Sequence, residues 1–213
     1  MLMIPIRDTQ RTTHFPIMNW LIIITNVLVF LVEYYSPANF SNGFVASYAL
    51  TPASINLSHP STLLPFITHM FLHGSWMHVI GNMWILWLFG DNVEDHMGRG
   101  RFLLFYLLCG LVAGVTHYMV NPTSTVPVVG ASGAVAGIMG AYFLMFRHAW
   151  VLTLIPPFFL FNFPAWIYLG FWILTQFWCG LAQSCGQIAF WAHIGGFTAG
   201  MLLHRFFLRA QYQ

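Results

Sequence analysis

Every basic residue of this chain is an arginine, and the arginines fall into a pattern that few folds allow. Six apolar stretches can be read, at about 17–35, 76–89, 102–120, 132–146, 165–181 and 187–207. Arg7 and Arg11 precede the first, Arg99 and Arg101 follow the second, Arg147 follows the fourth, and Arg205 and Arg209 close the sixth. The connections after the first, third and fifth stretches contain no basic residue. Only 6% of the 213 residues are charged, and 58% are hydrophobic. A soluble domain carries roughly a quarter charged residues, so this chain cannot cover itself with a water-facing surface. The reading is an all-α polytopic membrane protein of six transmembrane helices. The positive-inside rule places both termini in the cytoplasm. A formal net charge of +2 without a basic run argues against a nucleic-acid partner.

The chain forms one membrane domain over 1–213, with a short cytoplasmic head at about 1–16 and no linker or repeat. The first stretch, with Asn19, Asn26 and Glu33 as its polar positions, meets the ~20 residues a bilayer requires and lacks a convincing small-residue cleavage site. It therefore reads as a retained helix. Residues 36–64, with Pro37, Pro52 and Pro60 among Ser, Asn and Thr, read as a long ordered loop, partly embedded. Residues 90–101 read as a polar cytoplasmic turn in which Gly90, Glu94 and Gly98 are held by charge pairing with Arg99 and Arg101. Pro156, Pro157 and Pro164 interrupt the run before the fifth span. The absence of organelle-type targeting features favours a bacterial plasma membrane.

Polar groups inside a membrane carry a functional hypothesis by default. With this topology the second, fourth and sixth spans all begin on the outer side, and each has polar residues near its start. His78 and Asn82 are four apart on one face of the second. Ser132 opens the fourth, in Gly130-Ala131-Ser132-Gly133, and His193 lies early in the sixth. Ser132, Ala136 and Gly140 form a small-residue stripe beside Gly133 and Gly137. His193, Gly196 and Gly200 form a second stripe. Close approach of the stripes would bring His193 to Ser132. A serine hydroxyl needs a base, and imidazole suits that task near neutral pH. A tetrahedral intermediate needs donors, which His78, Asn82 and the N–H groups near Ser132 can supply. Asp8, Asp91, Glu94 and Asp95 lie on the cytoplasmic side and Glu33 late in the first span, so no orienting carboxylate is at hand. The arrangement reads as a Ser–His dyad.

Gly130-Ala131-Ser132-Gly133, His78-x-x-x-Asn82 and His193-x-x-Gly196-x-x-x-Gly200, on those three spans in that order, resemble the rhomboid family of intramembrane serine proteases. The resemblance runs from 71–78 through Gly90-x-x-x-Glu94-x-x-x-Gly98 to Gly200, in the minimal six-span form. It implies a catalytic core at about 65–208, Ser132 as nucleophile, His193 as general base and then acid, and His78 and Asn82 as oxyanion donors. It also implies cleavage of transmembrane segments of single-span membrane proteins, a small residue before the scissile bond, water entering from the outer side, and no metal or other cofactor. Trp166, Phe171 or Trp172 are candidates for a lateral substrate entrance.

Blander roles exist for each of these residues. The Ser132 stripe could be only a packing seam, His193 a core histidine, and Asn82 interhelical glue. His69 and His73, four apart, could suggest a metal, but no carboxylate or cysteine joins them, and they read as hydrogen bonders. His117 reads as interfacial. Cys179 and Cys185 could pair or remain buried thiols. A haem-binding electron carrier using His78 and His193, a transporter, and an inactive membrane chaperone of rhomboid type are the competing functions.

Overall fold

The computed structural model describes residues 3–182 and 188–212. Strand β1 (Ile4–Asp8) leads into α1 (Ile17–Tyr35), α2 (Ala38–Tyr48) and the short α3 (Pro65–Thr68). Helices α4 (Trp76–Met97), α5 (Arg99–Val120) and α6 (Ser132–Met145) follow. Strands β2 (Trp150–Ile155) and β3 (Phe159–Pro164) then lead to α7 (Ala165–Ala182) and α8 (Phe190–Phe207). Among the described residues, α1, α5 and α7 are long and apolar enough to cross a membrane. Helix α6 is apolar but has only 14 residues, about 21 Å at 1.5 Å per residue. It is packed against α4, α5, α7 and α8, and ten of its residues are buried, so it faces protein on most sides.

Three expectations need correction. The chain is mostly helical but not all-α, because β1, β2 and β3 form an antiparallel sheet in that order. The hydrophobic run through Pro156 and Pro164 is thus a hairpin, and β1 supplies its third strand from the far end of the sequence. The segment after α1 is not loop throughout, since α2 occupies eleven residues of it. The supposed polar turn is largely the last two turns of α4, which runs to Met97 and stops at Gly98, with φ of 81°. The open question of Cys179 and Cys185 turns on Cys185, which lies outside the described residues; Cys109 is a buried free thiol.

The carboxylates at the acidic end of α4 hold the start of α1 and the chain that leads into it. Pro16 precedes α1 and offers no side-chain cap, so the first N–H groups of that helix need an acceptor from elsewhere. Glu94 provides it, accepting from Met18 N at 3.0 Å and Asn19 N at 2.7 Å. Asp95 accepts from the backbone N–H and hydroxyl of Thr13 and pairs with His14 at 2.8 Å. Glu94 is therefore an N-terminal cap supplied from a distant helix; the charges of Arg99 and Arg209 also act on it, whereas Arg101 donates to the Leu208 carbonyl. Glu94→Gln, which turns an amide donor toward one of these N–H groups, is expected to destabilise the protein by about 2–3 kcal/mol. Thermal unfolding in detergent checks this, and an unchanged midpoint would refute the capping role.

The sheet is tied to the helices through β1. Trp84 Nε1 donates to the Pro5 carbonyl at 2.7 Å. Asp8 accepts from the Tyr142 hydroxyl and from Asn92 Nδ2. Burial raises the Asp8 pKa from 3.8 to about 6, partly offset by the Tyr142 hydroxyl and backbone N–H groups. The folded state thus holds this proton more tightly than the unfolded chain does. No cost arises below about pH 4; it develops as pH rises toward 6 and is full above that. Asp8→Asn keeps an acceptor for Tyr142 and removes the charge. The variant should melt with wild type near pH 4 and above it near pH 7. A difference that does not change with pH would contradict this.

Candidate active site

The site is built where α6 and α8 touch through their backbones. A Cβ added to Gly196 would land on the Gly133 carbonyl oxygen, one added to Gly200 on that of Gly137, and one added to Gly140 on that of Phe197. Such contact is possible only between small residues. Gly133 and Gly137 also face α5, against Ala113 and Cys109, and Ala136 is fully buried. His193 lies one turn before Gly196 on the same face, so the seam carries its ring to the first residue of α6. Ser132 Oγ and His193 Nε2 are 2.8 Å apart. Both nitrogens of the imidazole are engaged, because Nδ1 lies 2.8 Å from Gln176 Oε1 on α7. The Trp172 ring lies against His193, with centroids 5.8 Å apart at 31°.

The turn before Ser132 is fixed by Gly130. Its φ is 125°, a conformation open to glycine, and an added Cβ would sit 2.7 Å from His78 Nε2. That close approach holds the His78 ring beside the start of α6, with Asn82 Nδ2 on the same side. Asn82 Nδ2 is buried and has no hydrogen-bond partner among the described residues. The N–H groups of the first turn of α6 lack intrahelical acceptors as well. Unpaired donors thus collect beside the Ser132 hydroxyl, an arrangement suited to an anionic oxygen.

His69 and His73 support this turn. The Gly130 N–H donates to the His69 carbonyl at 2.9 Å, and the His69 ring bonds the Pro65 carbonyl at 2.8 Å. The His73 ring faces the Ala131 N–H at 3.5 Å and the His78 ring edge-on at 5.1 Å. Glu33, at the end of α1, accepts the His73 backbone N–H at 3.1 Å.

A cavity of about 1040 Å³ covers the group, lined by His78, Asn82, His117, Ser132, Trp172 and His193 among others. An apolar cleft of about 580 Å³ abuts it between α4 and α7 and shares Met77, Gly81, Ile85 and Trp172 with it. Of the three aromatic candidates for an entrance, Phe171 and Trp172 line this cleft, whereas Trp166 does not. Sequence reasoning missed two residues here. Gln176 is a lone amide in an apolar span, which is the one signal the sequence offers for it. His117 reaches the cavity from α5, although its position near a helix end had suggested only an interfacial role.

Residues 60–210 match the Rhomboid domain family. YdcA of Bacillus subtilis is 37% identical over 79 residues, covering 37% of this chain and 39% of that protein. Rhomboid protease GluP of the same organism is 39% identical over 75 residues, 35% of this chain and 14% of GluP. Rhomboid protein 1, mitochondrial, of Saccharomyces cerevisiae is 27% identical over 165 residues, 75% of this chain and 45% of that protein. The chain thus spans less than half the length of each of these relatives. With the family match covering well over half of its own residues, the chain belongs to the rhomboid family, integral membrane proteins that are typically intramembrane serine proteases.

Proposed function

We propose that this protein is an intramembrane serine endopeptidase that cleaves transmembrane segments of single-span membrane proteins. The observation that carries this reading is the 2.8 Å contact between Ser132 Oγ and His193 Nε2 beside the unpaired Asn82 Nδ2. In this reading α1, α4, α5, α6, α7 and α8 are six spans of one membrane domain, with the catalytic core at about 65–208. Both termini face the cytoplasm of a bacterial cell, and the cavity opens to the outer side.

A substrate helix enters through the cleft between α4 and α7 and unwinds, because an intact helix shields its carbonyl carbons and keeps their oxygens hydrogen-bonded. Ser132 Oγ attacks the exposed carbonyl carbon, preferably after a small residue, as its proton passes to His193 Nε2. The resulting oxyanion is held by Asn82 Nδ2, the His78 ring and N–H groups of the first turn of α6. His193 then gives the proton to the leaving nitrogen and the C–N bond breaks. A water molecule, deprotonated by the same nitrogen, hydrolyses the ester. The haem-carrier alternative leaves the paired contacts of His193 with Ser132 and Gln176 unexplained.

The test is reconstitution with a tagged single-span protein in liposomes. The reading expects a fragment cut within or next to the span by wild type and none by Ser132→Ala. Equal cleavage by Ser132→Ala would overturn it.

A further inference from the structure

Gln176 is 9% exposed and lies one turn beyond Trp172 on α7, with Oε1 at 2.8 Å from His193 Nδ1. Its own partners decide which way the amide faces. Nε2 lies 3.4 Å from the Trp172 carbonyl oxygen and 3.2 Å from Thr175 Oγ1. The Thr175 hydroxyl hydrogen is itself given to Trp172 O at 2.6 Å, which leaves Oγ1 as an acceptor. A flipped amide would set Oε1 against a carbonyl oxygen and lose both acceptors of Nε2. With Oε1 toward the ring, the imidazole hydrogen must sit on Nδ1. The lone pair is then on Nε2, facing Ser132. The opposite tautomer would present an N–H to Ser132 and could not take its proton.

We infer that Gln176 is a positioning residue that holds His193 in the Nδ1–H tautomer, giving the Ser132–His193 pair a neutral third member. The inference rests on the protease reading of that pair. An amide supplies the orientation that a carboxylate supplies in other serine hydrolases, without placing a charge in an apolar interior. When Ser132 Oγ passes its proton to Nε2, the Nδ1–H stays on Gln176 Oε1 and the amide dipole faces the imidazolium. The Trp172 ring packs against one side of the imidazole. Gln176 thus fixes its rotation and its tautomer.

The test compares kcat and KM of wild type, Gln176→Met and Gln176→Glu on a liposome-embedded single-span substrate, across a pH range centred on neutrality. Met keeps the length and bulk but is a poor acceptor. Glu keeps the acceptor and adds a charge. Among the groups that face the imidazole, His78 on α4, His117 on α5 and Ser132 on α6 are unchanged in both. Gln176→Met is expected to lower kcat about ten-fold or more with KM within about two-fold. Gln176→Glu should keep kcat at its own optimum within about three-fold. Its acid limb should move up by about one pH unit, because a carboxylate favours the imidazolium. If Met fails to fold, the Glu limb shift still decides. A Met variant with wild-type kcat and pH profile, or a Glu variant that loses kcat without a limb shift, would overturn the positioning role. Wild type that cleaves nothing would instead remove the protease reading and this inference with it.

Discussion

His193→Ala is expected to lower kcat for a membrane-embedded substrate by about 10³–10⁴-fold, with KM changed by less than about three-fold. The imidazole Nε2 lies 2.8 Å from Ser132 Oγ, so its removal leaves the hydroxyl at its ordinary, unreactive basicity. A nucleophile and its base act as one unit, and losses at the two positions should not add. The double variant Ser132→Ala/His193→Ala should therefore be no slower than either single change. Single-turnover rates in detergent would measure this. A His193→Ala protein retaining more than about a tenth of wild-type kcat would mean that another group takes the proton.

Asn82→Ala should lower kcat by about 10²–10³-fold, the loss seen when one oxyanion donor is removed. The same substitution separates the catalytic role from a packing role. Asn82 Nδ2 is buried without a partner among the described residues, so in the resting protein its polar hydrogens are a cost rather than a support. Thermal stability should therefore hold or rise while the rate falls. If Asn82 were interhelical glue, the melting midpoint would fall and the residual rate of the folded fraction would stay near wild type. The two readings predict opposite signs for the stability change, and one melt alongside one rate measurement decides between them.

Much of the helical frame was legible because its boundaries are local. The expected first span coincides with α1 at Ile17–Tyr35, since Pro16 and Ser36-Pro37 bracket an unbroken apolar run. Helix α6 begins at Ser132 as expected, because Gly130 provides the preceding turn. What the sequence hid depends on partners far away in the chain. The end of α4 looked like a turn because Asp91, Glu94 and Asp95 crowd it, and the acceptor role of Glu94 and Asp95 is visible only once residues 13–19 are seen beside it. The sheet was hidden for a similar reason. Strand β3 shows no alternation of buried and exposed residues, and β2 finds β1 across more than 140 positions of sequence.

Within the candidate site, the proximity of Ser132 and His193 could be anticipated from two small-residue stripes, because their contact depends on helix periodicity alone. The contact between Gln176 and His193 could not, since it depends on how α7 is rotated against α8. A single amide in an apolar helix does not reveal that angle. His117 escaped notice likewise, because its place near the end of α5 fits an interfacial residue until the cavity wall is seen.

The most direct test of an activated serine is to react the detergent-purified protein with a fluorophosphonate and locate the adduct by peptide mass spectrometry. The account predicts one adduct, on the peptide containing Ser132, and none in His193→Ala under the same conditions. An adduct on another serine, or no adduct while a control rhomboid protease is labelled in parallel, would contradict it.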